Sequence, residues 1–160
     1  MIKVFDDFLS EDVQKEVYEL LLRPKWHLKG GTSDNPFWHM DNLEEEDYFN
    51  TFLFEKIKEA LDFKDGVRVR RIYANGQTAG QCGSPHKDDG DFTFLYYPNL
   101  EWKVEDQGHL FFFKDEEVSR VIQYKPNRAL VFPAKIMHYA DAPSRFYNGL
   151  RISLAYKLKV

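Results

Sequence analysis

Cysteine is almost missing from this chain: Cys82 is alone among 160 residues. No internal disulfide can form, and no zinc site can be built from thiolates. Set in Gly80-Gln81-Cys82-Gly83, it reads as a plain loop thiol. Long apolar runs are missing as well, since stretches such as Leu110-Phe111-Phe112-Phe113 fall far short of the roughly 20 residues that cross a bilayer. With 9 Gly and 7 Pro there is no low-complexity segment, and neither a repeat nor a linker is visible. A large excess of one charge sign is also lacking. The balance of 26 acidic against 22 basic side chains gives a net charge of −4, which disfavours the sequence-independent phosphate grip of a nucleic-acid binder. Arg68, Arg70 and Arg71 form the single basic cluster, either the solvated face of a strand or the rim of a mouth that receives an anion. The opening Met1-Ile2-Lys3-Val4-Phe5-Asp6-Asp7-Phe8 carries charges where a secretory signal needs an apolar core, so the expected location is cytoplasmic.

What is abundant is core-forming material. Hydrophobic residues make up 43% of the chain and aromatics 16%, too many for disorder, and a length of 160 residues suits one domain spanning 1–160. Two helical patterns occupy about 10–65. Ser10 is placed to cap a helix, Glu11 and Asp12 suit its positive end, and Val13, Val17, Leu20 and Leu21 keep helical spacing until Pro24. A second series, Phe49, Phe52, Leu53, Ile57 and Leu61, predicts another amphipathic helix ending near Asp65-Gly66. The stretch Gly30 to Pro36 reads equally as a mobile lid or as ordinary turn chemistry.

From about 67 to 158 the period shifts toward two. Strands are predicted over 67–74, 92–97, 109–113, 118–124, 129–132 and 150–158, with breaks at Asn75-Gly76, Asp89-Gly90, Pro98-Asn99, Lys114-Asp115, Pro126-Asn127 and Asn148-Gly149. The expected class is mainly β with flanking helices, its strands forming an antiparallel double sheet: sandwich, barrel or jelly roll.

Within that frame, His86-Lys87-Asp88 is the most informative stretch. On extended chain, residues two apart share a face, so His86 and Asp88 can chelate one metal ion while Lys87 points away. His138 follows after enough chain for about four strands, which can return it beside the pair. Two imidazoles and one carboxylate on one face leave half of an octahedron open, the arrangement of non-haem Fe(II) oxygenases. Of the other histidines, His27 and His39 lack spaced carboxylate partners and His109 opens a strand, so all three fall outside the site. A second constellation is Arg151-Ile152-Ser153 in an otherwise apolar strand. There Arg151 can clamp a carboxylate in bidentate fashion and Ser153 can add a hydroxyl, whereas Arg128 and Arg145 lie in turn-like sequence.

Together these segments resemble one family. Arg71-Ile72-Tyr73-Ala74, Gly83-Ser84-Pro85-His86-Lys87-Asp88, Phe94-Leu95-Tyr96-Tyr97-Pro98-Asn99 with Trp102, Pro126 to Pro133, His138 and Arg151-Ile152-Ser153-Leu154 look like the prolyl 4-hydroxylase-type 2-oxoglutarate- and Fe(II)-dependent dioxygenases. The resemblance spans roughly 67–158. It implies a double-stranded β-helix, a jelly-roll core with helices on its major sheet. It also implies Fe(II) held by His86, Asp88 and His138, and 2-oxoglutarate held through its distal carboxylate by Arg151. Tyr73 and Tyr97 resemble tyrosines that hydrogen-bond the co-substrate, with either one a core aromatic instead; parity sends one ring of the Tyr96-Tyr97 pair inward without saying which. Where the family commonly has Gly-Gly, this chain reads Gln107-Gly108-His109. The segment Pro143 to Gly149 is longer than in many relatives and is placed to line a substrate entrance. The implied activity uses O2 to hydroxylate an unactivated C–H bond, with peptidyl proline leading, and releases succinate and CO2. A carboxylate at Asp88, where related halogenases leave room for halide, points to hydroxylation. Three rivals stand beside it: the same chemistry on another peptide or small molecule, a noncatalytic cupin-like binding module, and a Zn²⁺ hydrolase, which has no use for Arg151 and Ser153.

Overall fold

The computed structural model describes residues 1–61 and 66–160. In chain order the elements are β1 (Lys3–Phe5), α1 (Glu11–Leu21), β2 (His27–Thr32), β3 (Asn35–Met40), α2 (Phe54–Leu61), β4 (Arg68–Gln77), β5 (Phe92–Tyr96), β6 (Leu110–Lys114), β7 (Glu117–Ile122), β8 (Ala129–Pro133), β9 (His138–Ala140) and β10 (Arg151–Lys159). One seven-stranded sheet has the order β1-β8-β5-β10-β4-β3-β2, and a three-stranded sheet the order β7-β6-β9. The strand pairs are antiparallel throughout the described residues. This is the expected mainly β jelly-roll architecture with flanking helices.

Helix α1 starts where the sequence predicts. The Ser10 hydroxyl accepts from the Val13 amide at 3.4 Å, and Val17 and Leu21 are buried on its inner face. At its other end two side chains satisfy carbonyls that the helix leaves unpaired: Arg23 Nε donates to Leu20 O at 2.6 Å and Trp26 Nε1 to Leu21 O at 2.8 Å. The second helix departs from expectation. Tyr48–Leu53 forms a wide, π-type turn before α2, into which the Tyr156 hydroxyl donates at Phe49 O, 2.9 Å away. The extra residue per turn rotates the register: Phe49, Leu53, Phe54, Ile57 and Leu61 are buried, whereas Phe52 is 43% exposed. The expected end at Asp65 lies outside the described residues.

Four strands were not anticipated. Strands β1 and β9 have only three residues each, too short to show a period, and the β2–β3 hairpin is built from Gly-rich, mixed-polarity sequence. This hairpin answers the lid-or-turn question for Gly30 to Pro36, which is a strand pair with a turn at its tip. The expected break at Asn75-Gly76 is also corrected. Strand β4 runs on to Gln77 because Asn75 and Gly76 pair on one side with Ser153 and Ile152, and on the other with His39 and Trp38.

Parity along β10 organises the molecule. Ile152, Leu154, Tyr156 and Leu158 enter the core beneath the helices, with Ile72, Ala74, Phe94 and Tyr96. The intervening residues face the other way, toward a second core between the sheets that contains Tyr73, Leu95, Tyr97, Leu110, Phe112, Tyr124 and Ala155. A strand buried on both faces is held rigidly, and Arg151, Ser153 and Lys157 all project from its inter-sheet side.

Candidate metal centre

The two histidines are joined through their backbones. His86 N donates to His138 O at 3.0 Å and His138 N to His86 O at 3.0 Å, an isolated two-residue bridge rather than the extended strand expected at 86–88. Asp88 follows in irregular chain, its amide bound to Ala134 O at 2.8 Å, while Lys87 is exposed. One ligand atom from each of His86, Asp88 and His138 lies within 4.8 Å of the others. The Nε2 atoms of His86 and His138 sit 3.5 and 3.4 Å from the Asp88 carboxylate.

The tautomers follow from the neighbours. His86 Nδ1 is 2.8 Å from Ser84 O and His138 Nδ1 is 2.8 Å from Ile136 O. A carbonyl only accepts, so both Nδ1 atoms carry protons and both Nε2 lone pairs point at the shared space. Such outer hydrogen bonds orient imidazoles for metal binding. Burial opposes ionisation of Asp88, but the adjoining His138 and His86 rings and the charge of Lys157 outweigh that penalty and hold its carboxyl well below the usual range. His86 is shifted upward, chiefly because its ring, when protonated, donates to Asp88, and against the effect of burial. Asp88 and His138 are buried, whereas the His86 side chain is 50% exposed and marks the open side.

Next to the triad lies a cavity of about 40 Å³ lined by Tyr73, Asn75, Tyr97, Leu110, Arg151, Ser153 and Lys157 along with the two histidines. Arg151 is only 1% exposed. Its Nε donates to Gly108 O at 2.7 Å and its Nη1 to Gln77 Oε1 at 2.8 Å, and the guanidinium stacks 4.7 Å from the Tyr124 ring. Gly108 is required by this approach: its φ is +69°, and a Cβ there would lie 2.9 Å from Arg151 Cδ. Gln107, at the position where a glycine was missed in the sequence, has φ 59° and ψ −128°, a conformation glycine favours.

Structure also separates the tyrosines. Tyr97 belongs to the inter-sheet core beside Arg151, while Tyr96 lies under the helices with its hydroxyl on Asn127 Oδ1 at 2.9 Å. The Tyr97 hydroxyl is fully buried and has no hydrogen-bond partner. Burial raises its pKa against the lowering charge of Arg151, so it stays a neutral donor. Tyr73 lines the cavity and stacks on His39 with ring centroids 4.7 Å apart. His39 is therefore outside the triad yet not unpartnered, as its spacing suggested: Nδ1 lies 2.6 Å from Asp41 Oδ1. His109 precedes β6 and accepts from the Tyr124 amide at 3.4 Å. Arg128 pairs with Asp6 at 2.7 Å, Arg145 is exposed against Phe146, and Arg70 and Arg71 meet Asp89, all away from the clamp. Segment 143–149 does not line the cavity. Its Tyr147 packs on Trp102, behind the clamp, with centroids 4.4 Å apart.

Three neighbours of the site escaped the sequence reading. Gln77 sat beyond a break that does not exist, and Thr93 is an unremarkable strand residue. Lys157 was legible in principle, because it keeps parity with Arg151 and Ser153. The residues present fit the implied Fe(II) and 2-oxoglutarate. Two nitrogen donors and one oxygen donor converge with part of the coordination sphere free, and a buried guanidinium and an orphaned phenol stand beside them.

No protein-family model matches the chain, and no curated protein matches its sequence. Solved structures do match its fold. The viral collagen prolyl hydroxylase of Paramecium Bursaria Chlorella virus-1, in its 2-oxoglutarate complex, superposes with TM-score 0.72 at 17% identity, covering 99% of this chain and 96% of that one. HygX from Streptomyces hygroscopicus, with nickel and 2-oxoglutarate bound, gives TM-score 0.77 at 10% identity, covering 99% and 82%. A Trichoplax adhaerens prolyl hydroxylase in complex with a peptide fragment of the hypoxia inducible factor oxygen degradation domain gives 0.70 at 16%, covering 98% and 83%. The chain thus has the fold of the 2-oxoglutarate/Fe(II) oxygenases over nearly its whole length.

Proposed function

We propose that this protein is a 2-oxoglutarate- and Fe(II)-dependent dioxygenase that hydroxylates an unactivated C–H bond, with peptidyl proline as the leading substrate, and releases succinate and CO2. The observation that carries the reading is the adjacency of two elements: the His86, Asp88, His138 triad, and a buried Arg151 with an unpartnered Tyr97 hydroxyl in the same cavity. A binding module needs neither, and a hydrolase has no use for the second. His86, Asp88 and His138 are the metal ligands in this reading. Bound there, Fe(II) supplies O2 activation coupled to oxidative decarboxylation of the co-substrate.

The chain's own residues then bind and orient. Arg151 offers its guanidinium to the distal carboxylate, Gln77 holds that group in place, and Ser153, Tyr97 and Tyr73 provide hydroxyls along the co-substrate. Leu95, Leu110 and Ala140 keep water from the rest of the wall. The exposed edge of His86 is where a substrate approaches, and the prolyl hydroxylases among the fold relatives motivate testing peptides first. Among the described residues no helix is long and apolar enough to cross a membrane.

The test is an anaerobic titration of metal-free protein with Fe(II) and 2-oxoglutarate. A saturable visible charge-transfer band, lost in His86→Ala, is the expected result; proline-containing peptides are then screened for hydroxylation against other peptides and small molecules. Folded, iron-loaded protein that shows no band refutes the proposal.

A further inference from the structure

A lysine is buried where a metal ligand sits. Lys157 is 2% exposed and its Nζ pairs with Asp88 Oδ2. Its register partner on β5 is Thr93, whose hydroxyl donates to the same oxygen at 2.6 Å and accepts from Lys157 Nζ at 3.3 Å. The two carboxylate oxygens are therefore unequal. Oδ2, which lies 3.4 Å from His138 Nε2, already has two donors, one of them cationic, while Oδ1 has none and faces the lone pair of His86 Nε2 at 3.5 Å. A gap bounded by two acceptors suits a cation.

Building on the dioxygenase reading, we propose that Lys157 is a positioning and specificity residue: it makes Asp88 a single-oxygen ligand and sets the charge of the loaded site so that it selects a dianionic chelator. The charge count supports this. A divalent ion with one carboxylate leaves +1, and Lys157 and Arg151 together raise that to +3, which a dicarboxylate carrying two negative charges lowers to +1. A neutral or singly charged ligand leaves more uncompensated charge in a buried site. Arg151 and Lys157 project from the same face of β10 at the two ends of the cavity, so a dicarboxylate lying between them meets a cation at each end. The cost falls on the metal alone, because Lys157 already neutralises Asp88 and repels an incoming cation.

Opposite signs on two affinities test this, with no turnover needed. Mn²⁺ is titrated calorimetrically into metal-free wild type, Lys157→Met and Lys157→Gln, followed by 2-oxoglutarate into each Mn²⁺-loaded protein. Both neutral variants are expected to bind Mn²⁺ about tenfold more tightly or better, and 2-oxoglutarate about tenfold more weakly. Lys157→Arg, which keeps the charge, should stay closer to wild type in both. Damage to packing alone weakens both ligands, so two losses, or an unchanged Mn²⁺ affinity in a folded variant, overturn the role of Lys157. Met keeps the volume and Gln a donor, so either folded variant suffices. Wild type that binds Mn²⁺ no better than His86→Ala overturns the dioxygenase reading itself.

Discussion

Replacing Gly108 with alanine places a methyl group 2.9 Å from Arg151 Cδ and Nε and 3.2 Å from Trp102 Cζ2. The guanidinium cannot simply yield. Its Nε is tied to Gly108 O and its Nη1 to Gln77, and Tyr124 stacks against it. Two contributions arise: a left-handed backbone costs a non-glycine residue about 1–2 kcal/mol, and overpacking adds about 1–3 kcal/mol. Gly80 separates them. Its φ of +83° is as unfavourable for alanine, yet nothing lies within 4 Å of a Cβ there. Gly80→Ala therefore carries the backbone cost without the clash, and both variants share the gain of about 0.4–1 kcal/mol from a stiffer unfolded chain. At about 2–4 °C per kcal/mol for a domain of this size, Gly108→Ala should melt about 2–12 °C below Gly80→Ala. The displaced guanidinium loses a charged hydrogen bond, so the affinity for 2-oxoglutarate in the metal-loaded protein should fall about tenfold or more, while Gly80→Ala keeps it. Thermal melts and titration of the two variants suffice. Equal melting temperatures with unchanged affinity refute the claim that Gly108 exists to admit Arg151.

Removing the orphaned phenol with Tyr97→Phe should leave the melting temperature unchanged or raise stability by about 1–2 kcal/mol, because an unpaired buried hydroxyl is lost, yet weaken 2-oxoglutarate binding. Lower stability with intact binding contradicts that assignment. Gln107→Gly relieves a strained backbone, and a rise of about 1 kcal/mol in denaturant unfolding is expected; a decrease rules out strain there. Asp6 is held at about 2, first by its hydrogen bond with Arg128. A carboxyl whose folded pKa is depressed stabilises the fold above its ordinary range and loses that contribution as pH falls through the folded value. Wild type should therefore outmelt Asp6→Asn at neutral pH, with the gap closing between about pH 4 and pH 2; a constant gap contradicts the ion pair.

The triad and Arg151 were legible because each is a chemically unusual residue inside a regular pattern: paired ligands two apart, and a charge in an apolar strand. Phe52 was misplaced for a different reason. A π-type turn shifts the face by one residue, and nothing in Tyr48 to Leu53 signals that widening, because the Tyr156 hydroxyl that enters it comes from 107 residues away. Tyr97 could be resolved from Tyr96 only once β5 was paired with β8 and β10, since parity fixes alternation but not which side faces the helices. Strand β10 has the same character. Its alternation of Arg151, Ser153 and Lys157 is plain in the sequence, but the weight of Lys157 depends on Thr93 and Asp88, which only the fold brings beside it.

The mutual backbone pairing of His86 and His138 bears on how the site meets its ion. Two imidazoles fastened to each other arrive as one preassembled pincer, so the ordering entropy that a zinc finger meets on loading has here been met by folding. Loading therefore asks little rearrangement of the two imidazoles, whose backbones the fold already fastens together.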